Sequence, residues 1–153
     1  VEIGKDITLE QLKNDYPIII LAYGAQKERL LNLENENAIN MSSARKFASW
    51  YNSDLAENDS KSFFEKLLIN NEFKSKENEC DTVVIVGNGN VALDAARLIM
   101  KDQNQFNSTD IAPYAQKVLK NSLIKNIHII GRRGIAQASF TNRELREMAN
   151  LEN

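Results

Sequence analysis

An α/β architecture with a mainly parallel sheet is the expectation for this chain, and three observations carry it. Two β-branched or aliphatic runs, 82–86 and 127–130, each end in a glycine, the pattern of short strands buried in a parallel sheet. Segments with the three-and-four spacing of amphipathic helices lie between and after them. The first run passes through a glycine turn straight into a helix, the order of α/β folds.

In chain order, Thr8-Leu9-Glu10-Gln11 is a capping-box pattern, so a short helix is expected over 8–15, broken by Asn14-Asp15 and Pro17. Ile18-Ile19-Ile20-Leu21-Ala22, running into Gly24, predicts a strand buried on both faces. Residues 26–40, rich in Asn and Glu, predict a surface loop. Ser43–Asn52 predicts a helix with Ala44, Phe47, Trp50 and Tyr51 on one core-facing stripe. The polar stretch 52–80 is read as a connection or insertion holding one amphipathic helix over about 60–70, where Phe63-Phe64 and Leu67-Leu68-Ile69 interrupt it. After the strand at 82–86 comes a helix over 91–100. A second helix, capped by Ser108 or Thr109, carries Ile111, Tyr114, Val118 and Leu119 up to Asn121. A second buried strand, Ile127-His128-Ile129-Ile130, ends at Gly131. Thr141-Asn142-Arg143-Glu144 is another capping-box pattern, opening a helix with Leu145, Met148 and Ala149 on one side.

Composition bounds the chemistry. The 153 residues are 42% hydrophobic and 26% charged, ordinary for about one soluble domain. Nineteen basic against twenty-one acidic residues give a net charge of -2, so no overall basic field would hold a nucleic acid or an anionic membrane, and any anion site is local. The single cysteine, Cys80, excludes an intrachain disulfide and suits a reducing compartment. With one histidine, His128, read as a packed strand residue, neither a metal cluster nor a Ser-His-Asp assembly is expected, and no side chain stands out as catalytic. The longest apolar run, Pro17 to Tyr23, falls well short of the ~20 residues of a membrane span and lacks the basic flank of a signal peptide. Because the chain opens on Val1 rather than Met, it is read as a processed or excised piece. Asn-x-Ser/Thr matches at Asn40, Asn58 and Asn107 are expected by chance in an Asn-rich chain.

The informative stretch is Gly87-Asn88-Gly89-Asn90-Val91-Ala92, a GxGxxA pattern between strand and helix. Gly87 allows the tight turn, Gly89 leaves no side chain in the path of a pyrophosphate, and Ala92 lets helix and strand pack closely. A helix starting near Asn90 aims free amides and its positive dipole end at phosphates. Dinucleotide binding is the functional reading, and a ligand-free structural turn is the alternative. Where an NAD site places a carboxylate for the adenosine ribose, this chain offers Gly131-Arg132-Arg133-Gly134. Two guanidinium groups match a phosphate better than a hydroxyl, which selects NADP over NAD, against the alternative of two solvated arginines. Glu144 has two readings, closing the cap of its helix or reaching the cofactor, and spacing alone favours the cap. Asp94, Arg97, Arg143, Arg146 and Glu147 read as helix-surface or ion-pair residues.

Three segments, Val86 through Arg97, Ile130-Gly131-Arg132-Arg133-Gly134 and Phe140 through Glu147, together resemble the mitochondrial-type ferredoxin–NADP reductases, the adrenodoxin reductase family. The likeness extends to Leu21-Ala22-Tyr23-Gly24-Ala25 and to Ser43 through Asn52, in the same order. It is weakest over 53–80, and Ile135 stands where a proline commonly follows the double arginine. The resemblance implies a Rossmann-like, doubly wound, mainly parallel sheet, present here incompletely. It implies that Asn88, Gly89, Asn90 and Val91 hold the pyrophosphate region of NADP, that Arg132 and Arg133 grip its 2′-phosphate, and that Glu144 contacts the cofactor rather than capping. It further implies an FAD flavoprotein passing hydride from NADPH to flavin and single electrons to a ferredoxin or adrenodoxin-type iron–sulfur protein. The implied location is a mitochondrion or mitochondrion-derived organelle, with peripheral membrane association left open. The family is about threefold longer and has its own FAD loop, so residues 1–41, with a strand at 18–23, are expected at the junction with a flavin domain. Residues 42–153 are expected to be the first part of the NADP domain, inactive alone. Other FAD/NADP oxidoreductases, such as the glutamate synthase small-subunit type, and a non-catalytic NADP-binding module are the alternatives.

Overall fold

Helix α1 (Leu9–Asp15) is held by the capping box its spacing predicts. Thr8 Oγ1 accepts the Gln11 amide at 3.2 Å, and Gln11 Oε1 accepts the Thr8 amide at 2.8 Å. It belongs to the smaller of two compact units, Val1–Leu30 and Leu31–Asn153. The computed structural model describes residues 1–24, 28–54, 60–70 and 81–151. Cys80, Asn58, Ala25 and most of the polar connection before the first strand lie outside the described residues.

The strand expected over 18–23 is not formed. Ile18, Ile20 and Tyr23 are 79%, 84% and 86% exposed, and no ladder pairs this run. A strand needs a neighbour to take its amides and cover its side chains. The only strand-like pairing among the described residues of this unit is an isolated bridge between Ile3 and Ile7.

The larger unit is built on an aromatic cluster. Ser43 caps α2 (Ala44–Tyr51), its Oγ accepting the Lys46 amide at 3.2 Å, and this helix buries Phe47 and Trp50. Helix α3 (Ser60–Glu65) runs on through a π-helical turn, Lys66–Asn70, and brings in Phe64 and Leu68. Within the stretch read from sequence as a connection or insertion, the helix expected over about 60–70 is present, and its Phe64 and Leu68 belong to the core. Trp50 stacks at 5.6 Å on Phe47 and lies 5.0 Å from Phe64. Helix α5 (Pro113–Lys120) closes the cluster with Ala115, Val118 and Leu119, and the Tyr114 hydroxyl donates to the Trp50 carbonyl. Its N-cap is Ala112, with Pro113 as first helical residue, not Ser108 or Thr109. Pro113 has no amide to satisfy at that position, and its fixed φ suits the first helical residue. Thr109 instead donates its hydroxyl to Phe106, closing a 3-10 turn over Gln103–Phe106.

Strands β1 (Thr82–Val86) and β2 (Asn126–Ile130) form a two-stranded parallel sheet in the register Thr82↔Asn126 through Val86↔Ile130. Helix α4 (Asn90–Met100) packs on this sheet with Ala92, Leu93 and Ala96 buried, while its Ala95, Leu98 and Ile99 reach the aromatic cluster. One sheet face, with Val83, Ile85, Ile127 and Ile129, is thus half-buried. The other face is bare: Val84, Val86 and Ile130 are 54%, 63% and 53% exposed. His128 shares that face and is exposed, not packed as expected, because no described element covers it. A 3-10 turn, Ile135–Gln137, leads to α6 (Asn142–Ala149), which packs on α4. No helix among the described residues is long and apolar enough to cross a membrane.

Candidate functional site

The parallel register decides where the site lies. Val86 pairs with Ile130, so the glycine loop and the arginine turn leave the sheet side by side at the carboxyl ends of both strands. The Gly87 amide donates to the Ile130 carbonyl at 2.8 Å, and Gly87 has φ +131°, a left-handed backbone that favours glycine. In open α/β sheets this end is where ligands bind.

Gly89 is the N-cap of α4 and supplies no side-chain cap. The α1, α2 and α6 caps, Thr8, Ser43 and Thr141, each accept an amide, whereas Gly89 offers the first turn of α4 no side-chain acceptor; within that turn the Ala92 amide donates to the Gly89 carbonyl at 3.0 Å, and Gly89 forms an isolated bridge with Ser139. A Cβ on Gly89 would meet only Ser139 Oγ at 3.7 Å, an ordinary contact. The fold therefore does not demand a glycine there. Ala92 is 7% exposed and sits against the sheet, as its small size predicts. Val91 is 62% exposed beside the free helix end.

Arg132 and Arg133 are exposed on the turn after β2, and neither has a hydrogen bond or ion pair among the described residues. Two unneutralised guanidinium groups beside an uncapped helix terminus make a local positive site on a chain of net charge -2. Among the described residues, the hollow of about 360 Å³ lined by Leu9, Lys13 and Tyr16 and that of about 210 Å³ at Asn104 and Lys117 include no candidate residue. The site is a shelf at the sheet end.

Two contacts here were not anticipated from sequence. Gly131 lies so close to Asn88 that a Cβ would stand 2.5 Å from Asn88 Nδ2 and 2.7 Å from its Cγ. Asn90 Oδ1 accepts the backbone amide of Thr141 at 2.7 Å, joining the N-termini of α4 and α6. That contact decides the first question about Glu144. Thr141 Oγ1 accepts the Glu144 amide at 3.3 Å, but the reciprocal arm of the box is taken by Asn90, so the carboxylate of Glu144 does not close the cap. Behind this edge, Arg97 pairs with Asp94 and with Glu147, which also accepts Arg143 Nε at 3.1 Å, the ion-pair role expected of these residues. Tyr51 faces the same network. Burial first, and then the Asp94 charge, push its phenol pKa up.

No family model matches the chain. It is 39% identical over 153 residues to NADPH:adrenodoxin oxidoreductase, mitochondrial, of Drosophila melanogaster, covering 100% of this chain and 30% of that protein. Identity to the Homo sapiens protein of the same name is 38% over 151 residues, covering 99% of this chain and 28% of the relative. This stretch of chain belongs to the adrenodoxin reductase family. The structure of Mycobacterium tuberculosis FprA in complex with NADPH superposes with a TM-score of 0.79 at 34% identity, over 99% of this chain and 30% of that one. The chain thus spans about 30% of the length of the adrenodoxin reductases it matches. The α/β fold with its parallel pair matches the corresponding part of the FprA structure, so the expected Rossmann-like class holds, in incomplete form. The alignment with the Drosophila melanogaster relative spans the whole chain.

Proposed function

We propose that this stretch is the NADP-binding part of an FAD-containing NADPH:ferredoxin oxidoreductase whose electron acceptor is an adrenodoxin-type iron–sulfur protein. The observation that carries it is the register of β1 and β2, which sets the uncapped α4 terminus and the unpaired Arg132 and Arg133 side by side. Gly87, Asn88, Gly89, Asn90, Val91 and Ala92 form the pyrophosphate cradle: Gly87 and Ala92 shape the turn and its packing, and the start of α4 turns its positive end to the phosphates. Arg132 and Arg133 take the 2′-phosphate with planar, permanently charged donors. Glu144, released from its cap, accepts from the nucleotide. When bound, NADPH supplies the hydride, and the chain's own part is to hold and orient it. Residues 1–41 are assigned to the junction with a flavin domain, where 18–23 gains strand partners, and 42–153 to the first part of the NADP domain. A chain with one glycine-rich loop leaves FAD to the rest of the protein. The relatives named mitochondrial support a mitochondrion or mitochondrion-derived organelle as its location.

The test is calorimetric titration of the full-length protein with NADP and NAD in parallel. Arg132→Ala combined with Arg133→Ala should weaken NADP by about 100-fold, the loss of charged hydrogen bonds to one phosphate, and leave NAD nearly unchanged. Equal losses for both nucleotides would overturn the assignment.

A further inference from the structure

The contact between α4 and α6 gives Asn90 a task that its place in the glycine loop does not suggest. Thr141-Asn142-Arg143-Glu144 has the same pattern as Thr8-Leu9-Glu10-Gln11, and in α1 the fourth residue does close the box, Gln11 Oε1 accepting the Thr8 amide at 2.8 Å. In α6 the hydroxyl arm forms, but the equivalent amide of Thr141 goes to Asn90 Oδ1, fifty-one residues away in sequence, at 2.7 Å. One amide has one strong acceptor, so Asn90 and Glu144 compete for it. A neutral carboxamide satisfies the cap and leaves the carboxylate without a protein hydrogen bond or ion pair among the described residues. The helix dipole still favours a negative charge in that first turn, so the carboxylate is available to a donor from outside the protein.

We propose that Asn90 is a positioning residue: by occupying the Thr141 amide it keeps Glu144 out of the α6 cap, so that the Glu144 carboxylate is free to accept from a hydroxyl or amide of the bound nucleotide. The nucleotide half of this statement rests on the proposed NADP site; the exchange of cap partners does not. The Asn90 side chain then serves α6, and what Asn90 offers a phosphate is its backbone amide.

The experiment uses the full-length protein and four forms: native, Asn90→Ala, Glu144→Ala and the double variant. Hydrogen–deuterium exchange over residues 141–145, without nucleotide, reads the cap. Native protein and Glu144→Ala should protect this turn alike, and Asn90→Ala should keep most of its protection because the carboxylate moves onto the vacated amide. Only the double variant should lose it, by about tenfold. Asn90→Asp, which keeps an acceptor at Oδ, should protect the turn whether or not Glu144 is present, and it serves if Asn90→Ala does not fold. NADP affinity reads the consequence. The two single alanine variants should weaken NADP by the same factor, about tenfold, and the double variant no further. Loss of protection in Glu144→Ala alone, or in Asn90→Ala with Glu144 intact, would overturn the exchange. Losses of affinity that multiply in the double variant would show Asn90 acting on the nucleotide itself and overturn its indirect role. A native protein that fails to bind NADP would sink the proposed function, while the protection pattern would still decide whether Asn90 holds the cap.

Discussion

Gly131 and Asn88 show how little room separates the two loops of the site. No Cβ fits at 131 unless the Asn88 side chain moves, because both its Nδ2 and Cγ lie under 3 Å from that position. Gly131→Ala should therefore cost about 1–3 kcal/mol of overpacking strain, a fall in Tm of several degrees. Asn88→Ala removes the two closest atoms, so the double variant should melt above Gly131→Ala alone in scanning calorimetry of the full-length protein. A double variant that melts lower still would mean the two residues are not in competition. Sequence showed Gly131 as a strand terminator opening the arginine turn, not as a point of contact with Asn88, since a close approach between loops over forty residues apart leaves no local pattern. The same limit applied to Glu144: identical spacing at Thr8 and Thr141 gives a closed box in one helix and a half-open one in the other, because the competing acceptor, Asn90, comes from another element.

Among the elements, local pattern succeeded where local forces decide. Strand β1 and the α1 and α6 N-caps lie where period and capping residues put them, and the α2 stripe buries Phe47 and Trp50 with Tyr51 packed beside them, while Ala44, expected on it, is exposed at the start of the helix. It failed at 18–23, where an apolar run needs a partner strand; at 60–70 the helix itself was legible, but its polar flanks read as a connection or insertion and not as a segment that places Phe64 and Leu68 in the core. The start of β1 shows an element end held by charge. The Asp81 carbonyl accepts the Lys125 and Asn126 amides at 2.7 and 3.1 Å, tying β1 to β2. Its carboxylate accepts from the Thr82 hydroxyl at 3.1 Å and stands 3.5 Å from Lys125 Nζ. The Thr82 hydrogen bond first, and then the Lys125 charge, hold the Asp81 carboxyl below its ordinary value of 3.8. A depressed carboxyl stabilises the fold above its unfolded pKa, and that contribution is lost as pH falls through the folded one. Asp81→Asn keeps the backbone bonds and should lower Tm slightly at pH 7. The deficit should shrink to nothing as pH drops below about 4, the carboxylate range. A deficit independent of pH in melts from pH 2 to 7 would assign the effect to shape instead of charge.

At the level of the whole molecule, the sheet is the unfinished part. Parallel sheets are stable with both faces covered, and here α4 covers one while Val84, Val86 and Ile130 stand more than half exposed on the other. Among the described residues no further strand pairs with either edge, and a two-stranded sheet is marginal by itself. Since the chain spans about 30% of its relatives, the remainder of a full-length protein is the expected cover for this face. That makes one substitution act with opposite sign in two settings. In the 153-residue stretch alone, the bare face should drive concentration-dependent self-association, and Val84→Lys with Ile130→Lys should suppress it in sedimentation velocity. In the full-length protein the same pair would place two charges inside a covered face and should lower Tm by more than about 5 °C or prevent folding, the cost of burying unpaired ammonium groups. If the pair is harmless in the full-length protein, the face is exposed there too. Its apolar character would then belong to an interface with another chain, not to the core of the domain.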